Sequence, residues 1–211
     1  MLQPADIRFI FFDLGKVLVD YDWNIAARHM AQKSPMPESD ILQHLFHCDY
    51  RLLYEKGLIT TVEFIGQLQK DLCYRGSPDE LETLWCDIFT PMTANIETMK
   101  RLLRNYPLGL ISNTCASHIH WIRKHFDILN NFNPLIYSYE VHAVKPDPEI
   151  FITASRHLAL RPDEILFIDD TDCHIATARD LGWQTIHLTP ATDLSVRLIE
   201  KKLLFRNGFF I

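Results

Sequence analysis

Short apolar runs alternate with longer stretches of helical periodicity through most of the chain, and one block breaks the alternation. The run from Ile7 to Phe12, apolar apart from Arg8, predicts a buried strand that ends abruptly at Asp13-Leu14-Gly15. From residue 92 onward, a helix over 95–104 with apolar Ile96, Met99, Leu102 and Leu103 leads into the strand-like Leu108-Gly109-Leu110-Ile111. The pairing recurs: a helix over 116–125 precedes Leu135-Ile136-Tyr137, and one over 148–158 precedes Ile165-Leu166-Phe167-Ile168. A helix over 174–181 stops at Gly182, which tolerates the left-handed conformation of a helix end, and 184–188 reads as a further strand. Strands alternating with helices predict an α/β fold, a Rossmann-like parallel sheet with helices on both faces.

The exception is 21–91, where the apolar spacing is helical throughout and no strand signal interrupts. Thr60 and Glu63 have capping-box spacing, followed by Phe64, Ile65, Leu68 and Leu72 on one helical face. Ser77-Pro78-Asp79-Glu80 is a second start signal, ahead of the stripe Leu81, Leu84, Trp85 and Ile88. This places a small all-helical cap, 21–91, inside a core formed by 1–20 and 92–211. There is no internal repeat, low-complexity tract or long linker. The apolar tail, Leu203-Leu204-Phe205 to Phe209-Phe210-Ile211, is expected to dock on the core, with a dimer contact as the alternative; the chain is read as a monomer or homodimer.

Composition narrows the function. With 211 residues, 47% apolar and 23% charged, the chain has the make-up of a soluble globular protein. A net charge of −6 argues against general affinity for nucleic acid or anionic membrane. No apolar run approaches the roughly 20 residues that span a bilayer, and no signal peptide is evident. Five cysteines without a C-x-x-C spacing fit reduced thiols in a cytoplasmic protein. Cys173 is expected to be packed. His118, His120 and His125 lack a Cys or acidic partner at zinc-site spacing and are expected to be surface or packing residues.

In an open α/β sheet, ligands bind at the carboxyl ends of the strands. There the sequence places Asp13, then Ser112-Asn113-Thr114, then Lys145 before Pro146, then Asp169-Asp170. Taken singly, Asp13 fits a turn, Ser112 a cap and Lys145 a solvated loop. The paired Asp169-Asp170 is different, because adjacent carboxylates at a buried strand end repel and require a cation. Together these residues point to phosphoryl chemistry. A carboxylate attacking a doubly charged phosphoryl group needs a metal ion, a lysine and hydroxyl or N–H donors around one point. No Gly-rich phosphate loop, G-x-S-x-G or H-E-x-x-H offers another chemistry.

In this order the residues resemble the haloacid dehalogenase superfamily over nearly the whole chain. Phe11-Phe12-Asp13-Leu14-Gly15-Lys16-Val17-Leu18 resembles its first motif, Ile111-Ser112-Asn113-Thr114 its second, Lys145-Pro146 its third and Ile168-Asp169-Asp170-Thr171 its acidic fourth. The block 21–91 stands where the family's helical cap belongs. Tyr54-Glu55-Lys56-Gly57, with Thr60 and Phe64, resembles a cap pattern of its small-sugar-phosphate phosphatases, and the chain is similar to the bacterial α-glucose-1-phosphate phosphatases among them. The resemblance implies a phosphatase of a small phosphorylated metabolite that works through an aspartyl phosphate on Asp13. It implies Mg²⁺ held by Asp13, the Gly15 carbonyl, Asp169 and Asp170, with Ser112, Asn113 and Lys145 binding the phosphoryl group and Ser112 and Lys145 assisting catalysis.

Family phosphatases carry a second aspartate two residues after the nucleophile as general acid and base, where this chain has Gly15. Lys16 is also larger than the family's usual residue, and His174 stands where an Asn is common. Gly15 admits three readings: a phosphatase of esters with self-sufficient leaving groups, one with a relocated proton shuttle (Asp20, Asp22 or His174), or a non-catalytic phosphometabolite binder. Haloacid dehalogenation also dispenses with the second aspartate, but that branch lacks the acidic pair.

Overall fold

The structure, a computed structural model, describes residues 6–205 apart from residue 157. Its first strand β1 (Phe9–Phe12) is followed by β2 (Val19–Tyr21) and five helices: α1 (Trp23–Ala31), α2 (Glu38–His47), α3 (Asp49–Glu55), α4 (Thr61–Asp71) and α5 (Pro78–Cys86). Then come β3 (Phe89–Pro91), α6 (Thr93–Leu102), β4 (Leu108–Ser112), α7 (Ala116–His125), β5 (Leu135–Tyr137), α8 (Ser138–Val141) and α9 (Pro148–Ser155). The order closes with β6 (Ile165–Asp169), α10 (Asp172–Asp180), β7 (Gln184–His187) and α11 (Leu194–Glu200). Helix ends differ from the sequence expectation by a few residues, the normal fraying of helix termini.

The predicted parallel sheet is present, in the order β5-β4-β1-β6-β7. Why four apolar residues make its centre follows from the pleat. Side chains of β1 alternate between faces, so Ile10 and Phe12 enter one apolar cluster and Phe9 and Phe11 the other. Leu166 and Ile168 of β6 join the first cluster, and Ile165 and Phe167 the second. With β4 on one side of β1 and β6 on the other, the order in which strands are added reverses at β1. The carboxyl ends of all three strands therefore open into one crevice.

Helices α1–α5 surround an apolar cluster of their own, which includes Trp23, Met30, Leu45, Phe64, Leu68 and Trp85. Thr60 caps α4 through the predicted reciprocal box with Glu63, and Ser77 caps α5. Glu80 instead turns to Lys33, 2.6 Å away. Among the described residues, hydrogen bonds that join this layer to the sheet side include Tyr54 Oη to Ser117 Oγ at 2.8 Å, the Ser117 N–H to Tyr54 Oη at 3.2 Å, His118 Nε2 to the Trp85 carbonyl at 3.2 Å, and His142 Nδ1 to the Lys56 carbonyl at 2.8 Å. Gly57 permits the close approach, since its φ is +65° and a Cβ there would lie 2.1 Å from the Tyr139 carbonyl oxygen.

Two expectations need correction. The block 21–91 is not purely helical, because β2 and β3 pair antiparallel, Val19 opposite Pro91 and Tyr21 opposite Phe89. Three-residue strands are too short to show a period, and their pairing joins the two ends of the block. Cys173 is exposed rather than packed, since it lies on the solvent side of α10 while Ile175 and Ala178 face the core. Leu203 and Leu204 pack on the core as expected, whereas Phe209, Phe210 and Ile211 lie outside the described residues. No helix among the described residues is long and apolar enough to cross a membrane.

Candidate active site

Asp13 is the first residue beyond β1, and its N–H donates to the Ile168 carbonyl at 2.8 Å, extending the β1–β6 ladder by one step. That step fixes it beside Asp169, the last residue of β6. Lys145 lies between them. Its ammonium donates to Asp13 Oδ1 at 2.6 Å, Asp169 Oδ2 at 2.7 Å and the Ile111 carbonyl at 3.1 Å, with the side chain almost wholly buried. Asn113 holds the loop that carries it: the Lys145 N–H donates to Asn113 Oδ1 at 2.7 Å, and Asn113 Nδ2 donates to the Lys145 carbonyl at 2.8 Å.

The four sequence signals thus meet in space, and their electrostatics are unequal. Burial raises Asp13, Lys145 opposes that, and the Asp169 charge adds to it, leaving the carboxyl at about 6. Burial also acts against Asp169, but the Lys145 charge and the His174 hydrogen bond outweigh it and hold this carboxyl well below the usual range. Asp170 is raised, by burial and by Asp169. For Lys145, burial favours the neutral amine, yet the two aspartates more than compensate and keep it an ammonium.

One ligand oxygen from each of Asp13, Asp169 and Asp170 can lie within 4.8 Å of the others. Three carboxylates against one buried ammonium leave an excess of negative charge. Hard oxygen donors in that number suit a small divalent cation such as magnesium. The oxygens are not equally available. Asp169 already accepts from Lys145, His174 and the Thr171 N–H, whereas among the described residues the only side-chain partner of Asp170 is the Thr171 hydroxyl.

Beside this cluster lies a cavity of about 80 Å³. Gly15, Ser112 and Asn113 line it from the strand ends, and Tyr21, Arg51 and Glu55 line it from the helical block. Ser112 is buried, and its hydroxyl makes no hydrogen bond to a described residue. The ring of Tyr21 stands close to position 15: a Cβ on Gly15 would be 3.0 Å from Tyr21 Cε1.

Residues 10–188 match the haloacid dehalogenase-like hydrolases. The chain belongs to this family. It is 29% identical over 197 residues to D-ribitol-5-phosphate phosphatase of Bacteroides thetaiotaomicron, a match covering 89% of this chain and 94% of that one. A haloacid dehalogenase family enzyme of the same organism, solved with magnesium and inorganic phosphate, superposes with a TM-score of 0.81 at 26% identity, covering 90% of this chain and 98% of that one. A predicted HAD-like family hydrolase from Porphyromonas gingivalis, 23% identical, shares the fold at a TM-score of 0.79, covering 96% of this chain and all (100%) of that one.

In this hydrolase each of the three substitutes considered for the missing acid already has a hydrogen-bond partner. Asp20 is paired with Lys16, whose hydrogen bond holds its carboxyl below the usual range. Asp22 caps α1. His174 is bound to both Asp169 oxygens, at 3.0 and 3.1 Å. Tyr21, Arg51 and Glu55 complete the cavity, and sequence reasoning missed them. Their neighbourhood with Gly15 depends on how the helical block packs on the sheet, and the hydrolase's strand ends carry no trace of it. The local signal was the Tyr54-Glu55-Lys56-Gly57 run, whose glycine marks a close approach of the block to the core.

Proposed function

We propose that this hydrolase is a magnesium-dependent phosphatase of a small phosphorylated metabolite, a sugar or polyol phosphate, acting through Asp13. The observation that carries the reading is Lys145 held between Asp13 and Asp169 at hydrogen-bond distance, with Asp170 at the rim of the same cluster. A dehalogenase would leave three converging carboxylates without a task. The relatives act in the same direction: one is a ribitol-phosphate phosphatase and another was solved with magnesium and phosphate.

Asp13, the Gly15 carbonyl and Asp170 would hold the ion, with Asp169 reached directly or through water. When bound, magnesium supplies the positive charge that lets three anionic groups and a phosphate share the site. In the proposed sequence Asp13 Oδ attacks phosphorus in line, the bond to the ester oxygen breaks, and an aspartyl phosphate forms. Lys145, the Ser112 hydroxyl and the Asn113 backbone N–H stabilise the phosphoryl oxygens, and water then releases phosphate from Asp13. The helical block 21–91 acts as a cap that opens for substrate and closes to exclude bulk water. With its thiols free, the enzyme is assigned to the cytoplasm.

The absence of a carboxylate at position 15 favours a second reading, a phosphometabolite binder without turnover. Metal-dependent release of phosphate from an aryl phosphate separates the two. Turnover that disappears in Asp13→Asn supports the enzyme, while ligand-dependent thermal stabilisation without turnover supports the binder.

A further inference from the structure

Arg51 and Glu55 of α3 face the same cavity as Gly15 and Ser112, and the proposed chemistry gives them no part. They are not a loose surface pair. Arg51 Nε donates to Glu55 Oε1 at 2.9 Å, and its Nη1 donates to the Leu45 carbonyl at 3.1 Å. The guanidinium carbon stands 5.3 Å from the centre of the Trp23 ring. The side chains are only 26% and 20% exposed. Arg51 Nη2 and Glu55 Oε2 make no hydrogen bond to a described residue, so the fixed pair retains one cationic donor group and one anionic acceptor. Tyr21 lines the same cavity between this pair and Gly15.

A hydroxyl group donates and accepts at once, and it matches such a pair without bringing charge. A carboxylate or second phosphate finds the Arg51 charge already matched by Glu55 and meets Glu55 as a like charge. We infer that the Arg51–Glu55 pair reads the hydroxyls of an uncharged tail and rejects a second anion, making short polyol or sugar monophosphates the substrate class rather than phosphocarboxylates. The inference rests on the phosphatase reading above. It is sharpened by size, because a phosphocarboxylate such as phosphoglycolate is smaller than a five-carbon polyol phosphate and bulk alone would favour it.

The test compares kcat/KM for ribitol 5-phosphate and phosphoglycolate, with magnesium, in the full chain and in Glu55→Gln and Arg51→Gln. The full chain should prefer the polyol phosphate by about tenfold or more, the worth of one good charged hydrogen bond. Glu55→Gln, which frees the arginine charge while keeping the shape, should lower that ratio about tenfold. Arg51→Gln leaves Glu55 uncompensated and should not lower it. Phosphoglycolate turned over as well as the polyol phosphate by the full chain, or a ratio unmoved in Glu55→Gln, overturns this inference while leaving the phosphatase reading in place. No turnover of either ester or of an aryl phosphate overturns both.

Discussion

Tyr21 stands over Gly15, with its Cε1 3.0 Å from where a Cβ would be. An aspartate there would have to press the ring aside by a few tenths of an ångström, and Tyr21 is held by the β2–β3 pairing opposite Phe89. The glycine and the tyrosine are therefore one structural solution. Leaving-group departure should accordingly be unassisted by a carboxylate, and kcat/KM should fall steeply as the leaving group becomes more basic. Sugar 1-phosphates should be cleaved much faster than 6-phosphates. Gly15→Asp alone should not correct this, because the ring crowds it. Gly15→Asp with Tyr21→Ala should raise turnover of alkyl phosphates, toward the ~10²–10⁴-fold that a general acid contributes. A rise in Gly15→Asp alone, or equal rates for 1- and 6-phosphates, would show that the ring is no obstacle or that an acid acts from elsewhere.

The electrostatics of Asp13 predict a pH signature. Its carboxyl titrates at about 6 in the folded chain against an ordinary 3.8, so folding takes up a proton between those values. The contribution of Asp13 to metal-free stability is full below pH 4 and is lost as pH rises through 6. Without metal, Asp13→Asn should therefore melt higher than the parent at pH 8 and no higher at pH 4. Magnesium should raise the parent's melting temperature more at pH 8 than at pH 5, where protons compete for the same oxygens. Equal magnesium responses at the two values would count against Asp13 as a ligand.

Lys145 is the only cation bonded to both buried aspartates among the described residues. Lys145→Met should cost about 3–5 kcal/mol in urea unfolding, because it leaves two anions uncompensated, and it should abolish turnover. Adding Asp13→Asn should recover part of that stability but none of the activity. An Asp13→Asn effect of the same size with and without Lys145 would mean that the two groups do not interact.

Gly109 in β4 has no room for a side chain, since a Cβ would lie 2.3 Å from the Phe11 ring across the sheet. Gly109→Ala should destabilise by about 1–3 kcal/mol through overpacking. Because β4 also carries Ser112, KM should rise as the strand shifts. A variant as stable as the parent would show that the Phe11 ring relocates freely.

The sequence by itself determined the parallel α/β core. Buried strands such as Phe9–Phe12 are apolar on both faces, and the helices between them carry their own start and stop signals, Thr60 with Glu63 and Ser77 among them. It also placed the candidate site, because Asp13, Ser112, Lys145 and Asp169-Asp170 each follow a recognisable strand or mark its loop, and the topology of such sheets gathers those ends. What only the tertiary structure decided is how the inserted helices meet that edge. The β2–β3 pairing, the Tyr21 ring over Gly15, the exposure of Cys173 and the Arg51–Glu55 pair all depend on contacts between segments distant in sequence. Local periodicity carries no information about such contacts, since the docking of one layer on another is set by the shapes of both surfaces.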